Sequence, residues 1–174
     1  MRKLFVYVSG VSRGNPGEAA VGIVLTDEQG HLVEEAAQLI GRATAPVAEY
    51  KALIEGVRRA AAYSPDETVF LTDSPAVANQ INGISQPREP HLQYLNQLAL
   101  ELLGKLGSWR VNYVDREANG SAHRLAERAF RQRVMSERER TRAIRDIEAS
   151  LQTLSLEQLH KLQGFIQRLR ASSS

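Results

Sequence analysis

The sequence predicts a mixed α/β domain, a sheet with helices on its faces, followed by a helical C-terminal extension. Three observations support this: β-rich apolar runs separated by turn residues fill residues 3–40, strand and helix patterns alternate over 46–134, and only helical patterns occupy 135–171. Sequential strands predict an antiparallel meander, and the later alternation is typical of a mixed sheet covered by helices.

Composition narrows the class of protein. With 174 residues and 43% apolar content, one domain plus an appendage is expected. The chain has no cysteine, so disulfides and thiolate metal sites are excluded. No apolar run approaches the ~18 residues of a membrane span, and the N-terminus leads into a strand, not a signal peptide. These features predict a cytoplasmic protein with no membrane association, and the net charge of +2 is too small to indicate nucleic-acid binding by itself.

The first half of the domain is predicted to be a meander followed by a helix. Strands are expected at 3–9, 19–25 and 31–40, and residues 27–30 form a turn between the last two. Thr44 suits a helix N-cap, and the helix is expected over 46–63.

The second half is predicted to alternate between strands and helices. Pro75 suits a first helical position, and Gly83 ends that short helix. The other expected elements are a strand at 67–72, a loop at 84–90, a helix at 91–106, a strand at 109–114 and a helix at 119–134. The resulting order is βββαβααβα over a domain of residues 1–134.

The extension at 135–171 is predicted to form two helices, followed by a disordered tail at 172–174. Ser155 and Gln158 have the spacing of a capping box that opens the second helix. Each helix carries one apolar stripe that must be buried. Two alternatives stay open: the helices fold back on their own domain, or they pair with another protein or a second copy in a homodimer.

Residues 6–17 read V-Y-V-S-G-V-S-R-G-N-P-G, a strand that runs into a glycine turn. This segment resembles the D-G-x-S-x-G-N-P-G opening of the type 1 ribonuclease H family, in its reverse-transcriptase-like bacterial branch. Four further segments resemble family motifs in the family's order, over roughly residues 3–133: A-E-Y-K-A-L-I at 48–54, F-L-T-D-S at 70–74, N-Q-I-N-G at 79–83, and R-E-A-N with A-H-R-L-A at 116–126.

The resemblance implies a ribonuclease H-like fold and metal-dependent cleavage of RNA–DNA hybrids. The family is understood to use four carboxylates to hold two Mg²⁺ or Mn²⁺ ions, which clamp the attacking and leaving oxygens. The matching positions here are Ser9, Glu49, Asp73 and His123, so two of the four anions are missing. The last position varies in the family, sometimes to His, whereas the first is thought to bridge both metals.

The losses predict a degenerate site with weak or lost cleavage and retained nucleic-acid binding. Ser9 offers a neutral hydroxyl, which leaves two ions without a shared anion. One weakly bound ion on Glu49, Asp73 and a substrate phosphate remains compatible with magnesium chemistry. The alternatives are an active endoribonuclease with an altered or single-metal site and a non-catalytic dimeric assembly protein. Two further interpretations of the same residues are a Ser9–His123–Asp73 nucleophilic triad and a protonated His123 that replaces the metal.

Nucleic-acid contacts are predicted from the first loop and the last domain helix. The family's paired asparagines, thought to contact the hybrid's minor groove, are replaced by Ala45 and Pro46, whose side chains form no hydrogen bonds. Ser12 and Asn15 remain as candidate contacts. Arg124 and Arg128, the first two of a run of arginines, are candidate phosphate contacts. That run comprises Arg124, Arg128, Arg131, Arg133, Arg138, Arg140, Arg142 and Arg145. It is either a phosphate-facing stripe or a solvated helix face with internal ion pairs.

Overall fold

A computed structural model of the chain describes residues 2–171. The strands are β1 (Lys3–Ser12), β2 (Gly17–Asp27), β3 (Leu32–Ala43), β4 (Glu67–Thr72) and β5 (Ser108–Tyr113). The helices are α1 (Ala45–Ala61), α2 (Pro75–Ile81), α3 (Pro90–Leu103), α4 (Gly120–Leu151) and α5 (Leu156–Ala171). The predicted order βββαβααβα is confirmed, and α5 follows it.

The strands form one mixed sheet in the order β3-β2-β1-β4-β5. Strands β1, β2 and β3 pair antiparallel, as expected for a meander, while β4 and β5 run parallel to β1. The carboxyl ends of β1 and β4 therefore meet at one edge of the sheet, where functional groups of open α/β sheets are commonly placed.

Both faces of the sheet are buried, which the alternation along β2 illustrates. Val21, Ile23 and Leu25 belong to the main core with residues of α1, whereas Ala20 and Val24 pack with residues of α4. Successive residues of a strand point to opposite faces, so one strand contributes to the hydrophobic core on both sides. This arrangement fixes α1 and α4 on opposite faces of the sheet.

The helix α4 is longer than predicted. The sequence predicts one helix ending at 134 and a separate helix in the extension, but α4 runs without interruption from Gly120 to Leu151. No glycine or proline lies between these two residues, and an ion pair at 2.9 Å between Arg133 and Glu137 supports the helix at the predicted break. The extension therefore contributes the second half of α4 and the separate helix α5.

The described residues divide into two compact units between Arg131 and Gln132. The capping box that opens α5 is confirmed: Gln158 N donates to Ser155 Oγ at 3.3 Å, and Ser155 N donates to Gln158 Oε1 at 2.9 Å. Within residues 2–171, no helix combines the length and apolar character that a membrane span requires. The predicted tail at 172–174 lies outside the described residues.

Candidate active site

The sheet register places Ser9 and Asp73 side by side. Val8 of β1 pairs with Thr72 of the parallel strand β4. Ser9 directly follows Val8 and Asp73 directly follows Thr72, so the two residues are neighbours across the two strands. On its other side Ser9 pairs with Gly22 of β2. The first and third positions of the predicted metal site therefore share one sheet edge.

Two glycines allow the helices to reach this edge. A Cβ atom on Gly10 would lie 2.2 Å from the carbonyl carbon of Ala48 in α1, and one on Gly22 would lie 2.0 Å from the carbonyl oxygen of Ala122 in α4. Real Cβ atoms do not approach backbone so closely, so only glycine permits both contacts. The residues next to these contacts are Glu49 and His123, the other two predicted positions.

The two substituted positions contact each other. Ser9 Oγ lies 3.4 Å from His123 Nδ1, and Ser9 is 1% exposed. A hydroxyl and an imidazole therefore face each other where the family motif has two carboxylates. Neither group carries negative charge, so this half of the site lacks an anion.

Asp73 is held by two neighbouring side chains that the sequence analysis does not assign to the site. Asn119 donates from Nδ2 to Asp73 Oδ1 at 3.0 Å and to the Val8 carbonyl oxygen at 2.8 Å. Arg116 Nε lies 3.5 Å from Asp73 Oδ2, and the Arg116 side chain is 73% exposed. The carboxylate thus has a buried amide on one side and an exposed cation on the other.

Glu49 accepts a hydrogen bond from Ser74 Oγ at 2.6 Å. Burial raises the pKa of Glu49 above its ordinary value, and the negative charge of Asp73 adds to the increase, while the Ser74 hydroxyl and Arg116 oppose it. Ser74 is also the N-cap of α2, because its Oγ accepts from Val77 N at 3.3 Å. The start of α2 therefore helps to fix the orientation of Glu49.

The donor set fits one divalent ion and does not fit two. Within residues 2–171, no group of three or more acidic, histidine or cysteine side chains is arranged to hold a metal. Glu49 and Asp73 supply two carboxylates, and Mg²⁺ commonly binds through one or two carboxylates completed by water and substrate phosphate. Two ions would bring a charge of about +4 against about −2 from the protein, and their mutual repulsion would be poorly compensated.

The triad and the protonated-histidine interpretations receive no support from the contacts. Among the described residues, no hydrogen bond or ion pair joins His123 to Asp73, whose partners are Asn119 and Arg116. The cation that lies beside Asp73 is therefore an arginine, and the contact that His123 makes is with Ser9.

Three of the four predicted nucleic-acid contacts, Ser12, Arg124 and Arg128, have partners within the protein. Ser12 Oγ lies 2.6 Å from the Gly14 carbonyl oxygen and 2.7 Å from that of Ala43 at the end of β3, so its one proton is directed to acceptors within the protein. Asn15 is exposed in the turn between β1 and β2. Arg124 lies 3.5 Å from Ser121 Oγ, and Arg128 pairs with Glu35 at 3.0 Å. Ala45 and Pro46 are exposed at the start of α1.

Asn119, Ser74 and Arg116 are the site residues that sequence reasoning misses. All three lie inside the motifs quoted from the sequence, and Ser74 directly follows Asp73, which was assigned a role. Their positions within those motifs were the available signal. Their partners depend on tertiary contacts between β1, β4 and the segment before α4, which residue spacing does not reveal.

Comparisons with known proteins show the family to which the chain is similar. A family model described as reverse transcriptase-like matches residues 8–129. Ribonuclease HI of Halobacterium salinarum is 39% identical over 128 residues, which make up 74% of this chain and 64% of that protein. A bifunctional protein of Mycobacterium tuberculosis is 37% identical over 129 residues, 74% of this chain and 35% of that protein. The chain thus spans less than two thirds of the length of these relatives.

Solved structures show the same fold. The crystal structure of RNase H1 from Halobacterium salinarum superposes with a TM-score of 0.73 at 38% identity, covering 75% of this chain and 98% of that one. An RNase H1 isolated from compost, solved in complex with an RNA/DNA hybrid, has a TM-score of 0.71 at 28% identity, covering 75% of this chain and 99% of that one. The predicted mixed sheet is therefore an RNase H fold with a helical extension.

Proposed function

The chain belongs to the reverse transcriptase-like family of RNase H domains, and from this we propose that it binds RNA–DNA hybrids and cleaves them weakly or not at all. The binding half of this proposal is supported by the fold and by the related RNase H1 that was solved with a hybrid. The cleavage half is supported by the chemistry of the four positions at the sheet edge.

The contact between Ser9 and His123 is the observation that carries the proposal. Ser9 is 1% exposed, and its hydroxyl faces the imidazole at 3.4 Å. Neither a serine hydroxyl nor an imidazole supplies an anion to balance a second divalent ion. The substitution therefore removes charge from the position where the family is thought to bridge two metals.

Glu49 and Asp73 are the residues that would hold one ion. When bound, a divalent ion supplies Lewis-acid stabilisation of a phosphoryl oxygen. Ser74 orients the Glu49 carboxylate and Asn119 orients that of Asp73. Arg116 places an exposed guanidinium beside Asp73, where it is able to attract the phosphate backbone. This arrangement also supports the alternative of a slow single-metal endoribonuclease.

An assembly role is the other candidate, and one observation favours it. Large apolar side chains in the second unit are well exposed, among them Ile147 at 57%, Leu156 at 71% and Phe165 at 51%. Exposed apolar side chains in such numbers are commonly found at interfaces. A homodimer through these helices stays a prediction, as does a cytoplasmic location, and sedimentation of the purified chain measures the first directly.

A cleavage and binding assay on a labelled RNA–DNA hybrid tests the proposal. We expect the natural chain to bind the hybrid and to cut it slowly or not at all in Mg²⁺ or Mn²⁺. The double substitution Ser9→Asp with His123→Asp restores the missing anions and should increase the cleavage rate by at least about a hundredfold. This is about the factor by which removal of one group that stabilises the transition state slows an enzyme.

The matched control adds the same two carboxylates away from the site, as Ser85→Asp with His91→Asp, both on exposed residues. This control should cleave no faster than the natural chain. A natural chain that already cuts as fast as the double variant would disprove the degenerate site. A chain that fails to bind any hybrid at low salt would disprove the binding role.

A further inference from the structure

Positive charge is concentrated in the second compact unit. Residues 132–171 contain eight Lys and Arg residues against five Asp and Glu residues. Residues 2–131 contain fourteen against fifteen, so the first unit is close to neutral. The small positive charge of the whole chain therefore arises from its C-terminal unit, and seven of the eight basic residues there are arginines.

Three of these arginines share one face of α4. Arg138, Arg142 and Arg145 follow the i, i+4, i+7 spacing that aligns side chains along a helix. All three are exposed. The apolar residues Ile144 and Ile147 lie on the other side of the same helix, as the 100° rotation per residue requires. The three arginines are called the basic face below.

The basic face is available to an anionic ligand. Arg142 has one weak pairing, to Asp146 at 4.0 Å, with both side chains highly exposed. Within residues 132–171, neither Arg138 nor Arg145 has an ion-pair partner. The three arginines line an open groove of about 620 Å³ together with Val134, Thr141 and two carboxylates. The carboxylates are Glu137, which pairs with Arg133, and Asp146, which pairs with Arg142. The closer ion pair on α4, between Arg133 and Glu137 at 2.9 Å, involves an arginine outside the basic face.

We propose that the basic face binds the sugar–phosphate backbone of nucleic acid, at a site separate from the sheet-edge carboxylates. From Arg138 to Arg145 the helix rises about 10.5 Å, a length over which each strand of a DNA duplex presents about three phosphates, at about 3.4 Å of axial rise per phosphate. Arginine suits this role because its planar guanidinium makes paired hydrogen bonds to phosphate oxygens. The choice of nucleic acid as the ligand rests on the proposed function, since both sites are on one chain and each would raise the local concentration of ligand at the other.

Salt-dependent binding of the full chain to a labelled RNA–DNA hybrid and to duplex DNA tests this inference. The variant Arg138→Gln with Arg145→Gln removes two charges from the basic face, and Gln has a helix propensity similar to that of Arg. We expect the slope of log K against log salt to become shallower by about 1.8. With equal affinities at 1 M salt, this corresponds to a roughly sixtyfold fall in affinity at 0.1 M salt. Arg138→Lys with Arg145→Lys keeps the charges and should keep the slope.

The control is Arg133→Gln with Arg140→Gln, which removes two charges at the same seven-residue spacing from the opposite side of α4. It should bind like the natural chain, and circular dichroism checks that every variant keeps its helices. If Arg138→Gln with Arg145→Gln and the control have the same salt slope, whether both slopes change or neither does, the proposed role of the basic face is wrong. Hybrid binding by the chain is unaffected by that result. If the unaltered chain binds neither the hybrid nor duplex DNA, both this proposal and the proposed hybrid binding are wrong. Binding of the unaltered chain to anionic phospholipid vesicles in preference to nucleic acid would replace the ligand with a membrane surface.

Discussion

Asn119 shows how one buried amide organises the candidate site. It is fully buried, and its Nδ2 donates both to the Val8 carbonyl oxygen next to Ser9 and to the Asp73 carboxylate. Its Oδ1 is buried with no partner within the described residues. A buried amide that satisfies two acceptors at once couples the end of β1 to the carboxylate that follows β4.

Replacing this amide should cost stability as well as orientation. We expect Asn119→Ala to lower the free energy of unfolding by about 2–3 kcal/mol, since it removes two buried hydrogen bonds and leaves a small cavity. Urea unfolding measures the loss. The matched control, Asn112→Ala on an exposed residue of β5, should change stability by less than about 0.5 kcal/mol. Similar losses for both variants would show that Asn119 has no special structural role.

At the residue scale, the sequence indicates which side chains gather but not how they pair. Ser9 and His123 were selected as substituted positions, and the structure places them in direct contact. The pairing of Arg116 with Asp73 is not deducible, because Arg116 lies in the irregular segment between β5 and α4, where no periodicity fixes the direction of a side chain. The metal roles of Glu49 and Asp73 remain predictions.

At the scale of elements, an ion cluster joins β3 to α1. Arg59 donates to Glu34 and also pairs with Glu55 at 3.0 Å, and Tyr63 donates to Glu34 Oε2 at 2.8 Å. Burial opposes ionisation of Glu34, but the hydrogen bonds from Tyr63 and Arg59 outweigh it and hold the pKa of Glu34 below its ordinary value of 4.5. The cluster therefore stabilises the ionised form of Glu34.

This pKa shift predicts a pH-dependent contribution to stability. Because the pKa is lower in the folded state, the stabilisation is complete above about pH 4.5 and is lost as the pH falls through the folded-state value. Glu34→Gln should cost about 1 kcal/mol at pH 7, and the gap to the natural chain should narrow near pH 3. Urea unfolding at both pH values measures it, with the exposed Glu28→Gln as the control. If the difference in free energy of unfolding between the natural chain and Glu34→Gln is unchanged or larger at pH 3, the lowered pKa of Glu34 is contradicted.

The contact between β2 and α4 depends on a missing side chain. In Gly22→Ala the new Cβ would lie 2.0 Å from the Ala122 carbonyl oxygen and 2.6 Å from the Ala126 nitrogen, so α4 would have to move. We expect a loss of at least about 3 kcal/mol in urea unfolding. The same substitution at Gly164 in α5 meets no atom within 4 Å and should increase helix stability by about 0.5–1 kcal/mol. If Gly22→Ala leaves the free energy of unfolding unchanged, α4 does not approach the sheet this closely.

The order and type of the elements were predictable because their hydrophobic periods are clear and their turns carry glycine or proline. The strands β1 and β3 extend beyond their predicted C-terminal bounds, since β2 pairs with Val11 and Ser12 of β1 and with Arg42 and Ala43 of β3. The continuity of α4 past residue 134 was not predicted. The amino-acid pattern changes there from one apolar face to an arginine-rich face, but no helix-breaking residue accompanies the change. Composition changes there while the backbone conformation does not.

At the scale of the whole molecule, the two units differ in charge and in burial. The first unit buries a core on both faces of its sheet, whereas α5 of the second unit has no fully buried residue. The first unit carries the family's fold with half of its expected carboxylates, and the second accounts for all of the net positive charge. This division is consistent with a protein that retains contact with nucleic acid more than it retains catalysis.

Manganese occupancy tests the central electrostatic claim most directly. Anomalous diffraction from crystals of the natural chain soaked in Mn²⁺ counts the ions beside Glu49 and Asp73. We predict at most one partly occupied ion in the natural chain and two in Ser9→Asp with His123→Asp, because only the variant supplies enough negative charge for a pair. Two fully occupied ions in the natural chain would show that Ser9 and His123 do not impair metal binding.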